Sequence, residues 1–189
     1  MSDVTVASLH VGAEGVMEKR ACETLEMAID GIVGDRHRGP LRECWEGDKQ
    51  AEGTQRRNER QWSAISTEEL DAITRDMGLS TPLLASTLGI NLCLDGVPDL
   101  SRLPRGTLLS FPSGAVLMIE EYNPPCSEMG AKVAAEYASA SGDSLDSNAF
   151  SQAAKFSRGV VGIVEVPGII RVGDDVEIAR ERLPKWLRQ

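Results

Sequence analysis

The chain has 189 residues, a net charge of −9, 41% hydrophobic and 26% charged side chains. That is enough for one domain with a sizeable core, and it is not the composition of a disordered chain. The acidic balance disfavours nucleic acid as a partner, and no apolar run approaches the length needed to span a membrane. The start, "MSDVTVASLH", has neither a basic segment nor an apolar signal core, so a cytoplasmic location is expected. "VTVASLH" reads as a strand, as does "VMEKRACETLEMA", interrupted by charge. "GIVGDRHRGP" is a glycine-punctuated loop. Residues 41–60, "LRECWEGDKQAEGTQRRNER", are polar and too long for a tight turn. Such a segment is either a solvated excursion or a mobile lid.

Ser66 and Glu69 form an S-x-x-E capping box. Leu70, Ile73 and Met77 then share a helical face, and Gly78 is the expected stop. "NLCLDG" is a short strand. "GTLLSF" and "AVLMIEEY" flank "PSG", a hairpin signal. A helix is predicted from about Ser127, with Met129, Val133, Ala134 and Tyr137 inward, and another around 147–157. "GVVGIVEV", the turn "PG" and "IIRVGDDVEI" predict a final hairpin, followed by the basic tail "RERLPKWLRQ". Many strands, inserted helices and no βαβ alternation point to one mainly β domain of the α+β class over 1–189. Its expected form is a closed or partly closed barrel with peripheral helices.

Of four cysteines, none pair as C-x-x-C, and His10 and His37 are the only histidines. That spacing offers no zinc site. In a reducing compartment the thiols stay free. Cys22 and Cys93 read as core residues, whereas Cys44 lies in a charged loop where exposure is expected. Cys126 differs: it follows Pro124 and Pro125, between a strand and a helix. A thiol at a helix N-terminus meets the positive end of the helix dipole, which favours a thiolate for metal ligation or nucleophilic attack. An inert packing role is the competing reading.

Other groups are weaker signals singly. "GDRH" places Asp35, Arg36 and His37 between glycines, as a turn with an internal Asp–Arg pair or as an anion-gripping loop. "RRNERQW" clusters three arginines, Arg56, Arg57 and Arg60, as an anion trap or a solvated charge run. Asn91 and Arg158 precede strands, where a turn and a surface position are the ordinary readings.

Taken in order, these segments resemble the MOSC domain, named for the C-terminal domain of molybdenum-cofactor sulfurases. The resemblance rests on "GIVGDRHRGP", "RNERQWSAISTEEL", "LGINLCLDGVPDLSRLPRGTLLSF", "GAVLMIEEYNPPC" and "RGVVGIVEVPGIIRVGDDVEI". It implies a MOSC-type β-barrel and a cysteine, here Cys126, that ligates molybdenum or carries sulfur. Reductases containing this domain reduce N–O bonds in N-hydroxylated compounds. The resemblance places Arg36, His37, Ser66, Asn91 and Arg158 around a molybdenum cofactor (molybdopterin), a pterin with a terminal phosphate. Ile90 stands where many members carry glutamate, and 41–60 lengthens the loop after G-D-R-H. No lysine can be assigned to pyridoxal phosphate, and no iron–sulfur or flavin site is evident, so a separate electron or sulfur donor protein is implied. Three readings follow: a molybdenum-dependent oxidoreductase, a carrier with a Cys126 persulfide, or a non-catalytic binding module.

Overall fold

A computed structural model describes residues 4–13 and 15–180. The basic tail beyond Arg180 lies outside the described residues. The first strands are β1 (Thr5–Val11), β2 (Arg20–Cys22), β3 (Thr24–Ala28) and β4 (Gly31–Ile32). Segment 41–60 contributes β5 (Leu41–Glu43) and β6 (Gln55–Arg57), and β7 (Trp62–Ser66) follows. Helix α1 (Thr67–Asp76) leads to β8 (Leu92–Asp95), then β9 (Leu108–Ser110) and β10 (Val116–Tyr122). Helices α2 (Ser127–Glu136) and α3 (Ala149–Ala153) precede β11 (Val160–Val166), β12 (Gly168–Arg171) and β13 (Glu177–Ala179).

The main sheet has eight strands in the order β13-β9-β10-β11-β7-β8-β1-β2. It curls, and Val6 N–H reaches Asp174 O at 2.9 Å. Gly173 N–H also reaches Val6 O at 2.8 Å and Val176 N–H reaches Val4 O at 2.9 Å, around an isolated bridge of Thr5 with Asp175 that does not extend into a strand ladder. Strands β13 and β2 never pair, so the expected closed barrel is an open, curled sheet. A three-stranded sheet, β12-β3-β4, lies beside it. The mainly β, α+β class stands.

Two local signals gave the right elements for physical reasons. Ser66 Oγ accepts from Glu69 N–H, and the Glu69 side chain reaches back to Ser66 N–H, completing the capping box. Gly78, at φ +60°, ends the helix in a conformation that costs other residues a Cβ clash. The "PSG" hairpin also forms, with β9 and β10 antiparallel.

Strand pairing adds to the sequence reading at two points and overturns it at one. The final hairpin does not exist: β11 pairs with β10 and β7, whereas β12 pairs with β3 in the other sheet. One βαβ unit is present, because β7 and β8 pair in parallel across α1. Residues 41–60, read as a solvated excursion or a mobile lid, contain a paired hairpin. Its charges are stapled together: Arg42 contacts Asp48 at 2.6 Å and also Glu59, and Arg56 contacts Asp48 at 2.9 Å. Cys44 is buried inside this hairpin, 3% exposed, against the sequence expectation.

Alternation along the central strands sorts side chains into two cores. Trp62, Ala64, Leu92 and Leu94 face the core between the sheets. Ile65 and Cys93 face the helices, packing with Ile73, Met129, Val133 and Phe150. This second core fixes α2. Gly130 lies so close to the Ser147 carbonyl that a Cβ there would collide with it. The helix that follows Cys126 is thereby seated on the segment before α3. No helix among the described residues is long and apolar enough to cross a membrane.

Candidate functional site

Strand β10 stops pairing near Tyr122, and Asn123 N–H makes one more bond, to Gly159 O at 2.9 Å. Pro124 and Pro125 have no N–H to continue the ladder, and their fixed φ directs the chain out of the sheet. Cys126 is then the N-cap of α2, extended at φ −116° and ψ 160°, with no capping bond from its own side chain. Its thiol is exposed, unlike Cys93, which burial pushes up to about 12. The first-turn N–H groups of a helix have no intrahelical acceptors, so they and the thiol open onto the same space.

That space is a cavity of about 940 Å³. Cys126, Arg36, His37, Asn91 and Arg158 all line it, although they come from distant parts of the chain. Ser66 does not line it. It is fully buried and spends its hydroxyl on the α1 cap. Ser66→Ala is accordingly expected to lower folding stability by about 1–2 kcal/mol in urea titration while leaving ligand binding in the cavity unchanged.

Arg158 is the clearest departure from a surface reading. It is 7% exposed. Its neighbour Gly159, at φ +95°, packs so close to the Ala64 carbonyl that no Cβ fits, and this draws the strand entrance inward. Arg158 Nη2 donates to Leu88 O at 2.7 Å, but Nε and Nη1 have no partner. Burial lowers its guanidinium to about 10, opposed by the neighbouring Cys126 and reinforced by repulsion from Arg60. Arg36 donates through Nη1 to Val16 O at 2.8 Å and leaves a buried Nε without an acceptor. Arg60, which burial also lowers, makes a 2.6 Å bond to the neutral Asn123 Oδ1. Among the described residues none of these three arginines has a carboxylate at ion-pair distance, whereas Arg38 and Arg42, on the same cavity, do. The cluster Arg56–Arg57–Arg60 thus splits. Arg56 pairs with Asp48 and Arg57 with Glu120, and Arg60 turns to the cavity.

Asp35 organises the opposite wall. It does not pair with Arg36. It accepts from Gly12 N–H at 2.9 Å, Lys19 Nζ at 3.0 Å, Asn91 Nδ2 at 2.8 Å and His37 N–H at 2.9 Å. Gly12, Lys19 and Asn91 share Oδ2, whereas His37 N–H and His37 Nδ1, at 3.1 Å, share Oδ1. Burial alone would raise the Asp35 carboxyl, but His37, Lys19 and Gly12 together hold it well below the ordinary carboxylate range. An ionised carboxylate only accepts, so His37 Nδ1 carries the hydrogen and the partly exposed Nε2 edge is left for the cavity. Burial lowers the His37 imidazole, against the pull of Asp35. Asn91 is a positioning group: its Oδ1 accepts from Ser63, and its Nδ2 holds Asp35 and His10 O. Lys19, with a fully buried side chain, was invisible in the sequence, since its partner is sixteen residues away. Asn123 and Trp45, also on the cavity, carried no motif. Among the described residues no three His, Cys, Asp or Glu side chains cluster to hold a metal ion.

Comparison with known proteins bears on the family and the fold. The sequence model of the MOSC domain matches residues 34–177, from the G-D-R-H loop to the start of β13. YuaD of Bacillus subtilis (strain 168), which carries a provisional name in metal-sulfur cluster biosynthesis, is 35% identical over 157 residues, 82% of this chain and 80% of YuaD. The crystal structure of YuaD from Bacillus subtilis superposes with a TM-score of 0.88 at 30% identity, covering 96% of this chain and 100% of that one. YiiM from Geobacillus stearothermophilus shares the fold at a TM-score of 0.63 and 14% identity, over 94% of this chain and 75% of YiiM. With a family match over most of its length and a relative alike in both sequence and fold, this chain belongs to the MOSC domain family.

Proposed function

We propose that the cavity binds the molybdenum cofactor and that Cys126 is its protein ligand to the metal. One observation carries the reading. A chain of net charge −9 keeps three arginines without carboxylate partners on the cavity that holds an exposed thiol. Desolvated cations with free N–H groups are costly unless an anion answers them. The unpaired Nε and Nη1 of Arg158 and Nε of Arg36 suit the terminal phosphate of a pterin cofactor. Cys126 offers the soft thiolate that molybdenum favours, and about 940 Å³ has room for a cofactor with a small substrate.

The chain's own contributions follow from the geometry. Arg158, Arg36 and Arg60 fix the anionic end. Asn91 and Lys19 hold Asp35, and Asp35 holds His37 in one tautomer, so that Nε2 accepts or returns a proton at the cavity. The bound metal would supply two-electron chemistry, here the reduction of N-hydroxylated compounds, with electrons from a separate donor protein. The relative's name favours a second reading, in which Cys126 holds a persulfide and passes sulfur to a cofactor.

Protein purified from a host that makes molybdenum cofactor separates the two. Near-stoichiometric molybdenum supports the first reading. A Cys126 heavier by one sulfur atom, without metal, supports the second. Finding neither in freshly purified, folded protein rules against both.

A further inference from the structure

The Asp35 carboxylate joins a buried cation to the cavity. Oδ2 lies 3.0 Å from Lys19 Nζ, and neither side chain has any solvent exposure. Oδ1 lies 3.1 Å from His37 Nδ1, on a side chain that is 42% exposed. The ammonium is held in place as well as buried. Lys19 N–H donates to Ser86 O at 3.1 Å, and the stem lies against bare backbone at Gly12, where a Cβ would come within 3.1 Å of Lys19 Cγ. The remaining donors to Oδ2, Gly12 N–H and Asn91 Nδ2, are neutral and do not titrate. The other groups that act on this trio are basic. Arg36 repels both Lys19 and His37, Arg158 repels Lys19, and His10 of β1, whose imidazole burial lowers, also feels the ammonium. Asp35 therefore answers two protonatable groups with one negative charge.

We propose that Lys19 sets the proton affinity of His37: its buried ammonium, acting through Asp35, keeps the imidazole neutral with its Nε2 lone pair open to the cavity. The proposal rests on the reading of this cavity as a reaction site and deepens it, since it names what controls the group placed there to accept a proton. In a site with little water, two cations across one carboxylate repel each other at short range and are weakly screened. While Lys19 is charged, Asp35 is already answered, so a proton on Nε2 gains little from it. Once Lys19 is neutral or absent, the whole carboxylate charge falls to His37, and the imidazolium is stabilised. Burial and repulsion from Lys19 both lower His37 in the intact chain, against the pull of Asp35. The arrangement suits the cavity. An imidazolium would add a further cation to walls that already carry three unpaired arginines, and it would have no lone pair to offer. Lys19 does not line the cavity, so it is a positioning residue for His37.

Proton NMR titration of the imidazole C–H signals of the metal-free chain tests this directly, because the sequence has two histidines and His37→Gln assigns the signal. In wild type, His37 is expected to titrate below the ordinary imidazole range. Its resonance should shift a second time at about pH 8, as Lys19 releases its proton. Lys19→Met should raise the proton affinity of His37 about tenfold or more, and the second shift should vanish. Lys19→Arg should keep that affinity within about threefold of wild type but also lack the second shift, since a guanidinium keeps its proton there. The inference is overturned if Lys19→Met leaves the His37 midpoint unchanged, if Lys19→Arg raises it as much as Lys19→Met does, or if the wild-type signal stays flat from about pH 7.5 to 10. The last measurement needs no variant and decides the matter if the variants do not fold. A raised midpoint in Lys19→Met, from a wild type that carries neither molybdenum nor an extra sulfur atom, counts against the cofactor reading alone. Loaded wild type with an unmoved midpoint in Lys19→Met counts against this inference alone.

Discussion

Replacing Asp35 with asparagine is expected to lower folding stability by about 3–5 kcal/mol, seen as a marked fall in the urea midpoint. Asp35 accepts from Gly12, Lys19, Asn91 and twice from His37, and all of these donors come to one buried carboxylate. An amide there would turn one acceptor into a donor facing donors. It would also leave the fully buried Lys19 ammonium without its counter-charge. The pH dependence has two limbs. Asp35 has a folded-state pKa below its unfolded value of about 3.9, so its stabilisation is complete above that pH. It drains away as the pH falls further toward the folded value. Lys19 is lowered to about 8 by burial, against the pull of Asp35. Between there and about 10.4 the unfolded chain holds a proton that the folded chain has released, so stability rises with pH across that window. Asp35→Asn should lose the acid limb and move the alkaline rise to lower pH, because the carboxylate no longer supports the ammonium.

Arg158→Met should separate binding from folding in the opposite sense. Folding stability is expected to stay within about 1 kcal/mol of wild type or to rise, because a desolvated, unpaired guanidinium gives way to an apolar chain of similar length. The lost bond to Leu88 O offsets part of that gain. Affinity for inorganic phosphate, measured by calorimetry, should fall by about a hundredfold or more, as expected for losing charge-assisted bonds to a buried cation. A variant that is several kcal/mol less stable but binds phosphate like wild type would make Arg158 a structural residue, and the anion site would have to lie elsewhere.

The parts that were legible in the sequence are those whose cause is local. The α1 capping box needs only Ser66 and Glu69, and the β9–β10 hairpin needs only its turn. The Pro-Pro-Cys junction likewise marks the start of α2, because prolines act on the neighbouring backbone whatever the fold. Misread parts have causes far away in sequence. The "PG" turn looks like a hairpin, but β11 finds better partners in β10 and β7. Arg158 looks like a surface residue until Gly159 is seen pressed on Ala64. Asp35 and Arg36 look like a pair because they are adjacent, yet adjacency turns them to opposite duties. Asp35 points inward to Lys19 and Asn91, and Arg36 points out to Val16. The cavity is legible only through family resemblance, since its lining is drawn from residues 17 to 161. Trp45 lies in a segment whose composition says only that it is polar, and its place against the Arg42 and Arg60 guanidiniums appears only in the fold.

The most direct test of the account is the molybdenum and sulfane-sulfur content of Cys126→Ser beside wild type, both isolated from a host that makes molybdenum cofactor. Cys126 is exposed and makes no capping bond, so the variant should melt within about 2 °C of wild type, a shift of under 1 kcal/mol for a chain of this size. The account predicts that wild type carries molybdenum or an extra sulfur atom and that the folded variant carries neither. A folded Cys126→Ser protein loaded as fully as wild type would contradict it.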